Sequence, residues 1–114
     1  MPDQSHAIET TFTALADPTR RAVVQTLCAG PATVSQLASP FDMALPSFTQ
    51  HLGVLERAGL IVSRRDGRTR VCSLNPDTLQ AAEDWIASHR RQWQARFDRL
   101  EAHLANTKRG ETHD

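Results

Sequence analysis

Apolar residues recur every three or four positions over most of this chain, but between residues 60 and 74 the period shortens to two. Ile8, Phe12 and Leu15 open the pattern and predict a helix over residues 6–16. Asp17-Pro18 then has the form of an N-cap followed by proline at the first helical position, where the missing N–H costs nothing. Ala22, Val23 and Leu27 form the inward face of the next helix, residues 18–28, and Gly30-Pro31 stops it. Thr33 caps a short third helix over 34–38, which Ser39-Pro40 closes. After a loop at 41–45, Pro46 opens a fourth helix carrying Phe48, Leu52, Val54 and Leu55, with Gly59 as its left-handed end.

The alternating stretch predicts two strands, 60–65 and 69–74, turning at Asp66-Gly67 into a β-hairpin. On the second strand Val71 and Ser73 share one face and Arg70, Cys72 and Leu74 the other; alternation alone does not decide which is buried. Asn75-Pro76 repeats the cap-plus-proline signal and opens the longest helix, residues 76–105. Its apolar positions are Leu79, Ala82, Ile86, Trp93, Phe97, Leu100 and Leu104, with His89 in register, a nearly heptad seam. One small domain has little surface with which to cover so long a seam, so a helix from a second copy is the expected cover. Residues 6–105 are expected to form one domain, with flexible tails at 1–5 and 106–114. The fold class is mainly α with a β-hairpin (α+β). The order helix, helix, short helix, helix, hairpin, long helix is the layout of a winged helix-turn-helix.

Composition narrows the function. The chain has 114 residues, 39% hydrophobic and 23% charged, the mixture of an ordinary soluble domain. It contains no apolar run of about 18 residues, so no membrane span is expected. Residues 1–5 lack a signal-peptide pattern, which makes the cytoplasm the expected location. No glycine-rich phosphate loop, Ser/His/Asp set or paired carboxylates stand out, and no enzyme activity is expected. Cys28 and Cys72 fit neither a CxxC nor a metal spacing and are expected as free thiols. Cys28, at the end of the second helix, is expected in the core and Cys72, on the hairpin, nearer the surface.

Net charge is zero, yet its distribution is uneven. Residues 57–70 carry Arg57, Arg64, Arg65, Arg68 and Arg70 against Asp66 alone. Screening confines each charge to roughly 8–10 Å, so a local stripe can bind phosphate on a neutral protein. Arginines crowded on one hairpin repel one another, and a phosphate partner relieves that; the alternative is a solvated charged loop. Arg68, at the tip, is the first choice for a backbone or minor-groove contact. In the fourth helix Ser47, Thr49, Gln50 and His51 lie within the first two turns, the end that enters a major groove. Gln50 can pair bidentately with adenine, and Ser or Thr can reach bases or phosphates. The cluster's other reading is plain helix capping, and His51, one step before Leu52, is equally suited to a structural hydrogen bond. Thr33 and Gln36, at the start of the third helix, could offer groups to phosphate. Arg20 and Arg21 suit salt bridges as well as they suit DNA. The partner expected from these residues is double-stranded DNA, with no cofactor and no metal. The competing function is a dimeric protein–protein adaptor with this fold and no DNA readout, for which four wing arginines are a poor fit.

Three segments, FTALADPTRR (12–21), SFTQHLGVLERAGL (47–60) and RRDGRTR (64–70), resemble the ArsR/SmtB family of bacterial regulators, a likeness running over roughly residues 7–105. The resemblance implies a homodimeric repressor, with a recognition helix at about 46–58 and a wing at about 60–74. It also implies a dimer formed by the first and last helices, hence through Ile8, Phe12, Leu79, Ile86, Trp93, Phe97, Leu100 and Leu104. Metal sensors of that family often carry a cysteine pair on the third helix, or Asp/His and His/Glu pairs on the last. Here the third helix has no cysteine, and PFDMALP (40–46) resembles a subgroup without metal sites. His89 and His103 are about 21 Å apart along a helix. An antiparallel partner could bring His89 near His103 or Glu101, still short of a convincing zinc set.

Overall fold

The structure, a computed structural model, describes residues 4–111. It consists of two compact units, residues 1–82 and 83–114. In chain order the elements are α1 (Gln4–Leu15), α2 (Pro18–Leu27), β1 (Ala32–Thr33), α3 (Val34–Ala38), α4 (Leu45–Arg57), β2 (Ile61–Asp66), β3 (Thr69–Leu74) and α5 (Pro76–Glu111).

The helix starts follow from their caps. The Asp17 carboxylate accepts the backbone N–H of Arg20 at 3.0 Å, which fixes the first turn of α2 behind Pro18. Thr33 and Gln36 close a reciprocal capping box on α3. Asn75 Oδ1 accepts from the Asp77 N–H at 3.2 Å, and Thr78 Oγ1 donates to the Gly59 carbonyl at 2.6 Å, tying the first turn of α5 to the end of α4. Gly59 holds φ +76°, the left-handed end expected of it. In the hairpin Asp66 pairs with Thr69, so Gly67 and Arg68 are the two turn residues. Gly67 has φ +66° and no non-glycine residue described has positive φ, the pattern of a type II′ turn.

One strand is absent from the sequence reading. β1 pairs antiparallel with β3, setting Ala32 opposite Cys72, and the sheet order is β1-β3-β2. That makes β3 the central strand and reverses the expectation for the cysteines. Cys72 is fully buried, while Cys28, the C-cap of α2, is exposed. The core of the first unit joins Val23, Val24 and Leu27 of α2, Leu37 of α3, and Phe48, Leu52 and Leu55 of α4 to Leu60, Ile61 and Cys72.

Helix ends also differ. α1 begins at Gln4, and α5 continues to Glu111, so residues 106–111 are helical where a tail is expected. That stretch has no apolar periodicity by which the sequence could mark it as helix. The rest of the expected tails, 1–3 and 112–114, lies outside the described residues. The boundary between the two compact units falls within α5, after Ala82. Residues 83–111 form one continuous helical segment of α5, with Trp85, Ile86, Trp93, Phe97, Leu100 and Leu104 all exposed.

Candidate nucleic-acid interface

α4 is seated by three buried side chains, Phe48, Leu52 and Leu55, on one of its faces. Phe41, from the loop before it, stacks on Phe48 with ring centroids 5.6 Å apart. A helix anchored in this way has a fixed outward face, here Pro46, Ser47, Thr49 and Gln50, all exposed. The side chains of Ser47 and Gln50 make no hydrogen bond among the described residues, so their polar atoms stay available. Thr49 is more constrained. Its hydroxyl donates to the Leu45 carbonyl at 2.9 Å, which leaves it an acceptor and a methyl group to present.

His51 is half-buried and held from α2. Arg20 Nη1 lies 3.2 Å from His51 Nδ1, and because guanidinium can only donate, Nδ1 accepts and the ring proton sits on Nε2. The same guanidinium donates to the carbonyls of Ala14 and Thr13, and Asp17 lies 3.7 Å from His51 Nδ1. This cluster links the α1–α2 corner to α4. The Asp17 carboxyl is held below its ordinary range by the Arg20 N–H, with the Arg20 charge helping and desolvation opposing. Arg21 donates to the carbonyls of Leu15 and Ala16, again within the chain. Thr33 and Gln36 are occupied by the capping box of α3: Thr33 Oγ1 accepts from the Gln36 N–H at 3.1 Å, and Gln36 Oε1 from the Thr33 N–H at 2.8 Å. Their acceptor atoms position α3, which leaves the Thr33 O–H and the Gln36 amide N–H groups as donors.

The wing arginines divide. Arg64, Arg65 and Arg68 are exposed and make no hydrogen bond or ion pair among the described residues. Arg70 stands opposite Arg65 across the hairpin, where like charges repel. It is drawn instead to Glu56 of α4, Nη2 to Oε1 at 2.6 Å, and donates to Ser63 Oγ at 3.0 Å. Ser63 in turn donates to the same carboxylate at 2.8 Å. Arg70, also expected to bind phosphate, thus ties the wing to α4 through a carboxylate that offsets its charge. An open hollow of about 320 Å³, lined by Val34, Ser35, Thr49, Leu52, Arg68, Thr69 and Arg70, joins α3, α4 and the wing tip. Arg57, exposed at the end of α4, lays its guanidinium against Gly53, where an added Cβ would meet Nη1 at 3.1 Å.

Burial pushes the Cys72 thiol up, opposed by Arg70 and aided by Glu56. Among the described residues no three His, Cys, Asp or Glu side chains are placed to hold a metal ion. No described helix is long and apolar enough to cross a membrane.

The residues expected at a dimer interface separate in the same way. Ile8 is 5% exposed and already packed within the chain, so it has almost no surface to offer a partner. Leu79 packs against the core and Phe12 is half-buried. Ile86, Trp93, Phe97, Leu100 and Leu104 are exposed, Trp93 by 65%.

Comparison with known proteins agrees with this geometry. A helix-turn-helix domain model matches residues 15–64, from the end of α1 into β2. The transcriptional repressor SdpR of Bacillus subtilis is 36% identical over 75 residues, which cover 66% of this chain and 83% of the relative. HTH-type transcriptional regulator Rv2034 of Mycobacterium tuberculosis is 46% identical over 68 residues, 60% of this chain and 64% of the relative. Among solved structures, an ArsR family transcriptional regulator superposes with a TM-score of 0.76 at 47% identity, covering 82% of this chain and 97% of that one. A possible transcriptional regulator for arsenical resistance gives 0.64 at 40% identity, with 79% and 91% covered. The chain belongs to the ArsR family of winged helix-turn-helix proteins and is a DNA-binding transcription regulator.

Proposed function

We propose that the protein is a homodimeric repressor that sets the outward face of α4 into the major groove of an operator and lays the β2–β3 wing on the flanking backbone or minor groove. Two copies would place their α4 N-termini in successive major grooves, about 34 Å apart. Ser47, Thr49 and Gln50 read bases. Arg57, Arg64, Arg65 and Arg68 bind phosphates. His51 contributes its Nε2–H, oriented by Arg20, while Thr33, Gln36 and Arg70 hold the frame. The dimer forms through the exposed stripe of α5 and through Phe12 of α1, and the protein acts in the cytoplasm without a cofactor. One observation carries this reading: uncommitted Ser47 and Gln50 lie on a rigidly seated helix whose Thr49 shares a hollow with the unpaired Arg68.

The test separates affinity from specificity. Each phosphate contact contributes a slope of about 0.9 in log affinity against log salt. Arg68→Ala should weaken operator and random DNA by similar factors and flatten the salt dependence by about one unit per chain. Gln50→Ala should lose mainly operator affinity, about 5- to 150-fold for a bidentate base contact, with the slope intact. Selective operator loss in Arg68→Ala, with uniform weakening in Gln50→Ala, would reverse the roles of wing and helix.

A further inference from the structure

The first residue of α4, Leu45, is a large apolar side chain left 58% exposed. Its neighbours in sequence behave differently: Phe41 and Met43 both pack against the core. Leu45 instead lies one helical turn before Thr49, on the outward face, and with Pro46, Thr49, Gln50, Gly53, Val54 and Arg57 it lines an open hollow of about 710 Å³. Leu45, Pro46 and Val54 are its apolar side chains, and the hydroxyl proton of Thr49 is already committed to the Leu45 carbonyl. Arg57, the cation of the lining, lies more than three helical turns beyond Leu45, so the Leu45 end of the hollow is the apolar one. In the major groove, the one apolar group that a base pair presents is the C5-methyl of thymine.

We propose that Leu45 is a specificity-determining residue that packs on a thymine methyl beside the base read by Gln50, with Thr49's methyl and Pro46 completing the apolar seat. The inference rests on the placement of α4 in the major groove proposed above and is continuous with that face. It commits the operator half-site to a thymine at one defined step from the Gln50 contact. Gly53 lines the same hollow with the Arg57 guanidinium laid against it, and a Cβ there would meet Nη1 at 3.1 Å.

The probe is a duplex recovered by the full-length protein from a random double-stranded library, with each thymine replaced singly by deoxyuridine, which deletes only the methyl. For wild type, one position per half-site should weaken binding by about three- to fivefold, the value of one buried methyl-sized group. In Leu45→Ala the thymine duplex should bind more weakly, and uridine at that position should cost nothing further. Leu45→Gln, which keeps length but not apolar character, should likewise lose the thymine preference. Leu45 is exposed, so both variants should keep the wild-type circular dichroism. A uridine scan identical in wild type and Leu45→Ala would overturn the inference, as would recovered sites without thymine near the Gln50 contact. If Gln50→Ala still loses base preference in that case, the major-groove placement of α4 survives and only the role of Leu45 falls. If no variant of α4 changes which duplex is recovered, both readings fall.

Discussion

Asp17 acts twice, as the N-cap of α2 and as one member of the cluster around His51. Replacing it with alanine should cost about 1 kcal/mol, the usual value of such a cap. Asparagine keeps the cap and removes only the charge, so it isolates the electrostatic part. The folded carboxyl titrates below its unfolded value, so its contribution is complete above the unfolded carboxyl range, near pH 4, and is lost as pH falls through the lower folded value. Chemical denaturation at several pH values should therefore show a wild-type advantage over Asp17→Asn that is constant above about pH 5 and shrinks below about pH 4; a gap that grows on acidification would contradict the assignment. The cysteines give a second measurement. A thiol reagent should modify exposed Cys28 at once and buried Cys72 only on unfolding, so Cys28→Ser should abolish the fast phase. The sequence pointed the other way because burial of Cys72 depends on β1, two residues distant by some forty positions along the chain, and local alternation cannot report such pairing.

Much of each element was legible locally. The Asp17-Pro18 and Thr33 caps and the left-handed Gly59 each need only a few adjacent residues, and each stands where the sequence puts it, while Gln36 joins the Thr33 cap and the turn falls at Gly67-Arg68. What is not legible is which polar atoms are already engaged by another element. Arg70 reads as one more wing cation until Glu56, on a different element, is seen 2.6 Å away. Arg20 is likewise ambiguous until it is found beside His51. That distinction predicts different wing phenotypes. Arg70→Ala should leave the salt dependence of DNA binding nearly unchanged. Glu56→Gln should release a cation, tighten random DNA and steepen the salt slope by up to about 0.9 per chain. Its stability cost should stay within about 1 kcal/mol, since the pair is partly exposed. Equal flattening by Arg70→Ala and Arg68→Ala would show that Arg70 reaches phosphate after all.

The chain divides its labour between a first unit with its own buried core and a helical segment with none. Six large apolar side chains between Trp85 and Leu104 remain exposed, and their burial against a partner is worth roughly 1.5–3 kcal/mol each before the cost of association. The steps from Ile86 to Trp93 and from Trp93 to Leu100 are heptads, and Phe97 to Leu104 is another, so the stripe runs straight enough to lie along a second helix. If this stripe makes the dimer, then dimerisation and operator binding are coupled, because only a dimer reaches two half-sites at once. The double variant Trp93→Glu/Phe97→Glu places two carboxylates at the centre of the stripe while leaving the first unit's core untouched. Sedimentation should show wild type as a dimer and the variant as a monomer. The variant should keep the chemical-shift signature of residues within the first unit, yet lose most operator affinity and about half of the salt slope, the part contributed by the second chain's phosphate contacts. Raising its concentration should not restore the wild-type slope. A variant that stays dimeric, or a monomer that binds the full operator with wild-type affinity and slope, would separate α5 from DNA binding and leave the exposed stripe to some other partner.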